Sequence, residues 1–460
     1  MLPTIDSLAA DLRAGRTSAL ELTTAALQRA TDPAGEGARV FTRLDAEHAL
    51  LLARASDQLR ASGWARSPLE GLPLSVKDLF DVAGQTTCAG SVLLQGTAAA
   101  TRHATVIERL LAAGAVIVGR TNMTEFAYSG LGLNPHHGTP RNPWDRATGR
   151  IPGGSSSGAA VSVTDGMAVA ALGTDTGGSV RIPSALCGLT GFKPTARRVP
   201  LAGVLPLSTS LDSAGPLAAS VRCCTILDAV LAGEPVPAPA ESSLQDMRLA
   251  VPDTVVLDRM DDAVGQAFEA ACSRLSAAGA RIHRLAVPEF AELASIYANG
   301  NLPAAEAWAW HRRHIETRAE AYDPHVVSRI RQGAGMSAAD YIDLLAARQR
   351  WQGAVGARIQ GFDALIMPTV PLVAPPIDGL VRDEAAYWRA NGLMLRNPSL
   401  INFLDGCALS LPCHAPGAAP VGLMLAGMRG RDRQILLLGQ AVEAALSGQP
   451  VQAGVAGQPN

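Results

Sequence analysis

Two glycine- and serine-rich loops, set one short helix and one strand apart, constrain this chain more than any other feature. The first runs Pro152-Gly153-Gly154-Ser155-Ser156-Ser157-Gly158 and leads into the helix-like Ala159–Val163. Met167–Leu172 then reads as an apolar strand, and it opens into Gly173-Thr174-Asp175-Thr176-Gly177-Gly178-Ser179. Flexible linkers have a similar composition, but linkers do not sit between the strands and helices of a core. The long stretch 129–158 that carries the first loop has lost all periodicity. A loop of that length inside a compact chain is functional or disordered.

The surrounding sequence has a strand–helix rhythm. Residues 4–30 read as two short helices, with Ser18 and Glu21 forming a capping box. A longer helix covers about 45–62. Leu72–Val76 is a buried strand, His103–Ala113 a helix, and Ala115–Val118 a strand ending at Gly119. After a Pro-rich connector at 233–243 the rhythm restarts with strand Leu249–Val251 and helix 264–278. Residues 290–360 are mostly helical, Phe362–Met367 is a strand, and Val421–Ala426 with Arg433–Ala445 is strand then helix. There is no internal repeat, and low complexity is confined to the last dozen residues. The class is α/β.

Composition excludes several roles. A net charge of −2 with no long basic run leaves no electrostatic footprint for nucleic acid or an anionic membrane. The seven cysteines are odd in number and include no C-x-x-C pair, so reduced thiols fit better than a disulfide scaffold. No apolar run reaches about 18 residues, and the N-terminus carries no basic segment before an apolar core. A cytoplasmic protein is expected by exclusion.

Ser179 closes a glycine loop at the carboxyl end of a strand, where α/β sheets place ligands. Successive N–H groups from Thr176 to Ser179 could form a nest for an anionic intermediate. A phosphate-binding loop or a plain tight turn has the same look. Lys77 ends the buried strand Leu72–Val76, and a lysine at a core edge is costly unless solvated, paired or neutral. Snorkelling would satisfy it equally well. Alternation sends Asp78 to the opposite face, so Asp78 need not hold Lys77 charged. A serine nucleophile needs a base within hydrogen-bond reach. His48 and His103 fall on helices; His136 and His137 lie in the long loop, away from both serine clusters, and the sequence alone leaves them open as bases. A neutral lysine is a known substitute. Moving a lysine pKa from about 10.4 to about 7 costs roughly 4–5 kcal/mol, and burial supplies shifts of that size.

At these residues the sequence resembles the amidase signature family. The motifs are Gly153–Gly158, Gly173–Pro183, Cys187-Gly188 and Gly191–Thr195. Gly71-Leu72-Pro73 with Val76-Lys77-Asp78, Thr121–Met123 with Glu125-Phe126, and Asn142–Trp144 also fit. Asp212–Pro216, Asn402-Phe403, Gly406 and Pro420–Leu423 fit more loosely. The resemblance spans about 5 to 445 and is weakest over 235–360. It implies one large α/β/α sandwich with a central, mostly mixed sheet flanked by helices. Within that single domain, 1–460, it implies N-terminal helices over about 1–65 and a catalytic core over 66–232. The connector 233–243, a variable helical substrate side over 264–360 and a sheet-completing part over 361–447 follow. It also implies a Ser–cis-Ser–Lys triad, with Ser179 as nucleophile, Ser155 as the cis bridging serine and Lys77 as base. The backbone amides of Thr176, Gly177, Gly178 and Ser179 map to the oxyanion hole, and Ser156, Asp175 and Arg181 to its support. Phe126, Ala127 and Tyr128, with the region around 300–345, map to the pocket wall. Ser157 departs from the glycine found in many members.

The implied reaction is hydrolysis of a linear carboxamide through an acyl-enzyme, with no metal or cofactor. Aryl amides, ureas and carbamates lie within the family's range. The implied partner is a small-molecule amide, with no nucleic acid and no membrane, and with room for a homodimer. Two alternatives stand beside this. One is the amidase subunit of a tRNA-dependent amidotransferase, whose aromatic, basic stretch after Lys-Pro-Thr is here Thr195–Pro200 without the aromatic. The other is a non-catalytic binding module on the same fold.

Overall fold

The computed structural model describes residues 2–448; Met1 and the low-complexity end, 449–460, lie outside the described residues. The strands are β1 (Phe41–Leu44), β2 (Pro73–Lys77), β3 (Val116–Thr121), β4 (Ala170–Asp175), β5 (Thr190–Lys193), β6 (Ser213–Ala218), β7 (Arg248–Pro252), β8 (Arg281–Leu285), β9 (Ala364–Pro368), β10 (Cys407–Pro412) and β11 (Gly422–Gly427). They form one sheet in the order β1-β3-β2-β4-β6-β5-β10-β11-β9-β7-β8. β2 pairs in parallel with β3 and β4, and β7 with β8 and β9, while the centre is antiparallel. The expected mixed sheet is therefore present.

Side-chain alternation along the strands buries both faces of this sheet. Leu249, Val251, Ile366, Leu409, Leu423 and Leu425 face a core closed by helices Thr105–Ala112, Val221–Ala232, Asp262–Ala277 and Asp432–Ser447. Ala250, Leu365, Met367, Ala408, Met424 and Ala426 face the other side, against helices Ala338–Arg358 and Glu384–Leu404. The result is helices, sheet and helices in three layers. No helix among the described residues is long and apolar enough to cross a membrane. All seven cysteines are free thiols.

Local signals decided the N-terminal helices. Ser18 caps Ala19–Thr31 by accepting from Glu21 N–H, and the Glu21 side chain returns the bond. The strand expected at Met167–Leu172 starts and ends three residues later. The N–H groups of Met167 and Ala168 turn back to the Ser162 carbonyl, and Gly173, Thr174 and Asp175 pair with β6 instead of forming a loop. Gly173 serves close approach: a Cβ there would lie 2.8 Å from Ser156 Oγ. Gly119 likewise lies inside β3, where a Cβ would overlap Arg43 O. Strands β1, β5, β6, β8 and β10 are not among the elements expected from the sequence; β1 and β8 carry charged or exposed residues, so they show no continuous apolar run.

The first serine loop is seated by the helix that follows it, Ser157–Thr164. Gly158 N–H donates to the Asn122 carbonyl at 3.0 Å, and a Cβ on Gly158 would overlap Val40 O. Backbone on that side cannot yield as a side chain would. Gly158→Ala is expected to lower stability by about 1–3 kcal/mol through overpacking, read as a lower urea midpoint at unchanged slope.

Candidate active site

β2 and β4 run parallel, so their carboxyl ends lie at one edge of the sheet. Lys77 is the last residue of β2 and its side chain is 0% exposed. Nζ donates to Ser155 Oγ at 2.7 Å and to Thr174 Oγ1 at 2.9 Å. No carboxylate lies within ion-pair distance of the amine among the described residues. Asp78 is turned away, as alternation requires, and pairs with Arg120 at 2.7 Å. Burial pushes the Lys77 amine down to about 7, with Asp175 and Asp212 pulling weakly upward. A neutral amine with two hydroxyl neighbours can accept a proton from either.

Ser155 follows a cis peptide bond from Gly154. Its carbonyl accepts from Thr124 N–H at 3.1 Å, and the next N–H, of Ser156, donates to Ser179 O at 3.3 Å. The two serine loops are therefore joined through backbone. No hydrogen bond joins Ser155 Oγ to Ser179 Oγ among the described residues. Ser179 is 3% exposed and lines a cleft of about 230 Å³. Thr176, Gly177, Ala127, Tyr128 and Arg329 line the same cleft.

The turn before Ser179 is braced by Asp175, which alternation places on the opposite side of β4 from Thr174. Its carboxylate accepts from Gly178 N–H (2.8 Å), Val180 N–H (3.1 Å), Arg181 Nη2 and Nε (2.8 and 3.0 Å) and Asn402 Nδ2 (2.9 Å). Asp175 and Arg181 are both fully buried. Burial alone would raise the Asp175 carboxyl, but Arg181 and the buried Lys193 outweigh it and hold it well below the usual range. Gly178 has φ 123, and a Cβ there would strike Pro398 at 2.6 Å, so only glycine fits.

Two expectations need correction. Gly178 N–H is engaged by Asp175, so it is not available as an oxyanion donor in this arrangement. The amides of Thr176, Gly177 and Ser179 keep no partner among the described residues. Phe126 does not line the cleft either. Its ring is packed between His311 (4.4 Å), Tyr322 (5.4 Å) and Trp310 (5.9 Å). With φ 48 at Phe126 and 61 at Ala127, the chain turns so that only Ala127 and Tyr128 face the cleft. From the helical region, Tyr297, Asn301, Pro303 and Arg329 reach it. His103 precedes its helix and accepts from Ala83 N–H, and His136 pairs with Glu125 at 2.9 Å. Among the described residues no group of three His, Cys, Asp or Glu side chains could hold a metal ion.

Sequence reasoning missed Thr174, Arg329 and Ser399, whose hydroxyl donates to Gly177 O at 3.3 Å. It noted Asp212 and Asn402 only as motif members. Thr174 had a signal: it lies two residues before Thr176 on a strand end facing Lys77. Arg329 and Ser399 had none, because their contacts cross about 200 residues of chain.

A buried lysine at a parallel-strand edge, beside two serine loops and backbone amides without partners among the described residues, is an arrangement in keeping with the amidohydrolase class. The comparisons with known proteins make this particular. The family model described as Amidase matches residues 21–436. The 2-amino-5-chloromuconic acid deaminase of Comamonas testosteroni is 38% identical over 407 residues, 87% of each chain. A subunit of the glutamyl-tRNA(Gln) amidotransferase of Chloroflexus aggregans is 35% identical, over 96% of each. A crystal structure of an amidase superposes with a TM-score of 0.86 at 35% identity, covering 96% of this chain and 99% of that one. The chain belongs to the amidase signature family.

The Asp175–Arg181 pair generates a stability prediction. Arg181→Met leaves a buried carboxylate without its cation and is expected to cost about 3–5 kcal/mol. Urea unfolding followed by circular dichroism checks it.

Proposed function

We propose that the protein is a serine amidohydrolase acting on small linear carboxamides that carry a carboxylate. The observation that carries the mechanism is the 2.7 Å contact from Lys77 Nζ to Ser155 Oγ in a fully buried setting behind the Ser179 cleft. Ser179 Oγ attacks the amide carbonyl carbon and gives its proton to Ser155 Oγ, whose own proton passes to Lys77. The Ser155–Ser179 bond forms by rotation of the serine hydroxyls, since catalytic hydrogen bonds tighten on substrate binding. The amides of Thr176, Gly177 and Ser179 are the donors left for the oxyanion. Collapse breaks the C–N bond as the proton returns along the same route to the leaving nitrogen. Water then cleaves the acyl-enzyme, with Lys77 again receiving the proton.

Arg329 supports the carboxylate. It lines the cleft, its guanidinium lies 4.3 Å over the Tyr128 ring, and Nη1 donates to Tyr128 O at 2.6 Å. No carboxylate pairs with it among the described residues, so the rest of its N–H fork is open to a substrate anion. The name of the deaminase relative is that of an enzyme acting on an acid, in keeping with this. A second reading, a glutaminase subunit that hands ammonia to a partner, is favoured by the amidotransferase relatives' full-length match. Ammonia release by the isolated chain, from glutamine and from a panel of acid amides, decides between the two.

Ser179→Ala is expected to abolish turnover, and Ser155→Ala and Lys77→Ala each to lower kcat by several orders; retained turnover in Ser179→Ala would reject the assignment. Only the neutral amine accepts a proton. Activity should therefore fall as pH drops through about 7, tenfold per unit, in kcat/KM profiles. Arg329→Gln should lower kcat/KM about 10–100-fold for carboxylate-bearing amides, the worth of one charged hydrogen bond. Neutral amides of the same size should be nearly unaffected.

A further inference from the structure

The loop that ends at Asp212 forms the wall between the cleft and a second cavity of about 460 Å³ on its far side. Leu207 and Leu211 of this loop face the cleft, while Pro206, Thr209 and Asp212 face the second cavity. Carboxylates hold the wall at two points. Asp212 is 6% exposed. It accepts from Thr176 Oγ1 at 2.5 Å and from the N–H groups of Leu207 and Ser208 at 3.0 Å each. On the outer side Glu306 accepts from Ser208 Oγ at 2.7 Å and from Ser210 Oγ at 2.5 Å.

Three features single Asp212 out. Thr174, near the end of β4, touches the Lys77 amine, and Thr176, the first residue after the strand, touches Asp212. Asp212 is thus bound two residues along the chain from a Lys77 partner, and its charge acts on the amine. The partners of Asp212 are all neutral, and no cation lies within ion-pair distance of it among the described residues. Asp175, the other carboxylate acting on Lys77, is bound to Arg181 on the opposite side. Removing the Asp212 charge would therefore change the field at Lys77 without stranding a cation.

We propose that Asp212 is a positioning residue for the proposed serine mechanism: it holds Thr176, and with it the turn to Ser179, and supplies an uncompensated negative charge that the Lys77 amine works beside. This rests on the reading of Lys77 as the base. The charged groups facing Asp212 are Lys77 from β2, Glu306 from helix Leu302–Arg318, and Arg197 across the second cavity; Tyr341, from Ala338–Arg358, reaches Glu306 rather than Asp212. Burial raises the Asp212 carboxyl to about 6 against the pull of Thr176 and the two amides. It is therefore ionised at neutral pH, where Lys77 must shed its proton.

The test is the pH dependence of Ser179 labelling by a fluorophosphonate probe, in the full chain. A negative charge favours the protonated amine, so Asp212→Asn should move the acid limb to lower pH by at least about half a unit. Glu306→Gln, which alters charge on the outer face of the same loop, should leave the limb in place. Thr176→Ala should slow labelling at least tenfold, and Thr176→Ser, which restores the hydroxyl, should recover it to within about threefold. These two variants carry the test should Asp212→Asn not fold. A limb unmoved in Asp212→Asn, or labelling undisturbed in Thr176→Ala, would overturn the role of Asp212. If the limb still disappears in Lys77→Met, the reading of Lys77 survives that failure. Absence of Ser179 labelling in the unaltered chain would overturn both.

Discussion

The site depends on holding one amine, Lys77 Nζ, out of water with two hydroxyls and no carboxylate against it. Solvation would keep that amine charged, and so would an ion pair. The fold denies it both. β2 is buried along its whole length, so the amine has no route to solvent, and alternation commits the adjacent Asp78 to Arg120 on the other face. The remaining carboxylates act from a distance: Asp175 is bound to Arg181, and Asp212 to a threonine hydroxyl and two amides. A desolvation cost of a few kcal/mol is large beside the net stability of a folded protein. It is borne by a sheet with apolar cores on both faces.

The glycines of the two loops serve this packing. Gly154, Gly158 and Gly173 are places where backbone or a serine comes closer than a Cβ would allow. Gly178 combines a left-handed φ with a blocked Cβ position. Together they let the serine loop lie against the end of β4, so that Ser155 meets Lys77 from one side while Ser156 N–H meets Ser179 O from another. The loops are dense contact surfaces. That explains why they sit between core elements and why the linker interpretation of their composition fails.

Much of this was legible in the sequence, for local reasons. The Ser18–Glu21 box, the buried β2 and the opposed faces of Lys77 and Asp78 follow from capping and alternation. The register of β4 did not follow, because a glycine after an apolar run signals a turn, whereas the bareness of Gly173 admits Ser156. The engagement of Gly178 N–H by Asp175 had a signal, since aspartates accept from amides a few residues onward. Phe126 does not face the cleft because its ring packs on His311 and Tyr322, far away in sequence and in the region where the family resemblance is weakest. Arg329 and Asp212 gain their meaning only from the assembled cleft.

The proposed chemistry hangs on the protonation state of one side chain. Titration of the Lys77 Cε resonance in protein carrying 13C-labelled lysine, assigned by its loss in Lys77→Arg, measures it directly. The expected midpoint is about 7, set by burial. A resonance that stays in the ammonium position up to about pH 10, the ordinary lysine range, would show a charged lysine at the heart of the site and contradict the account.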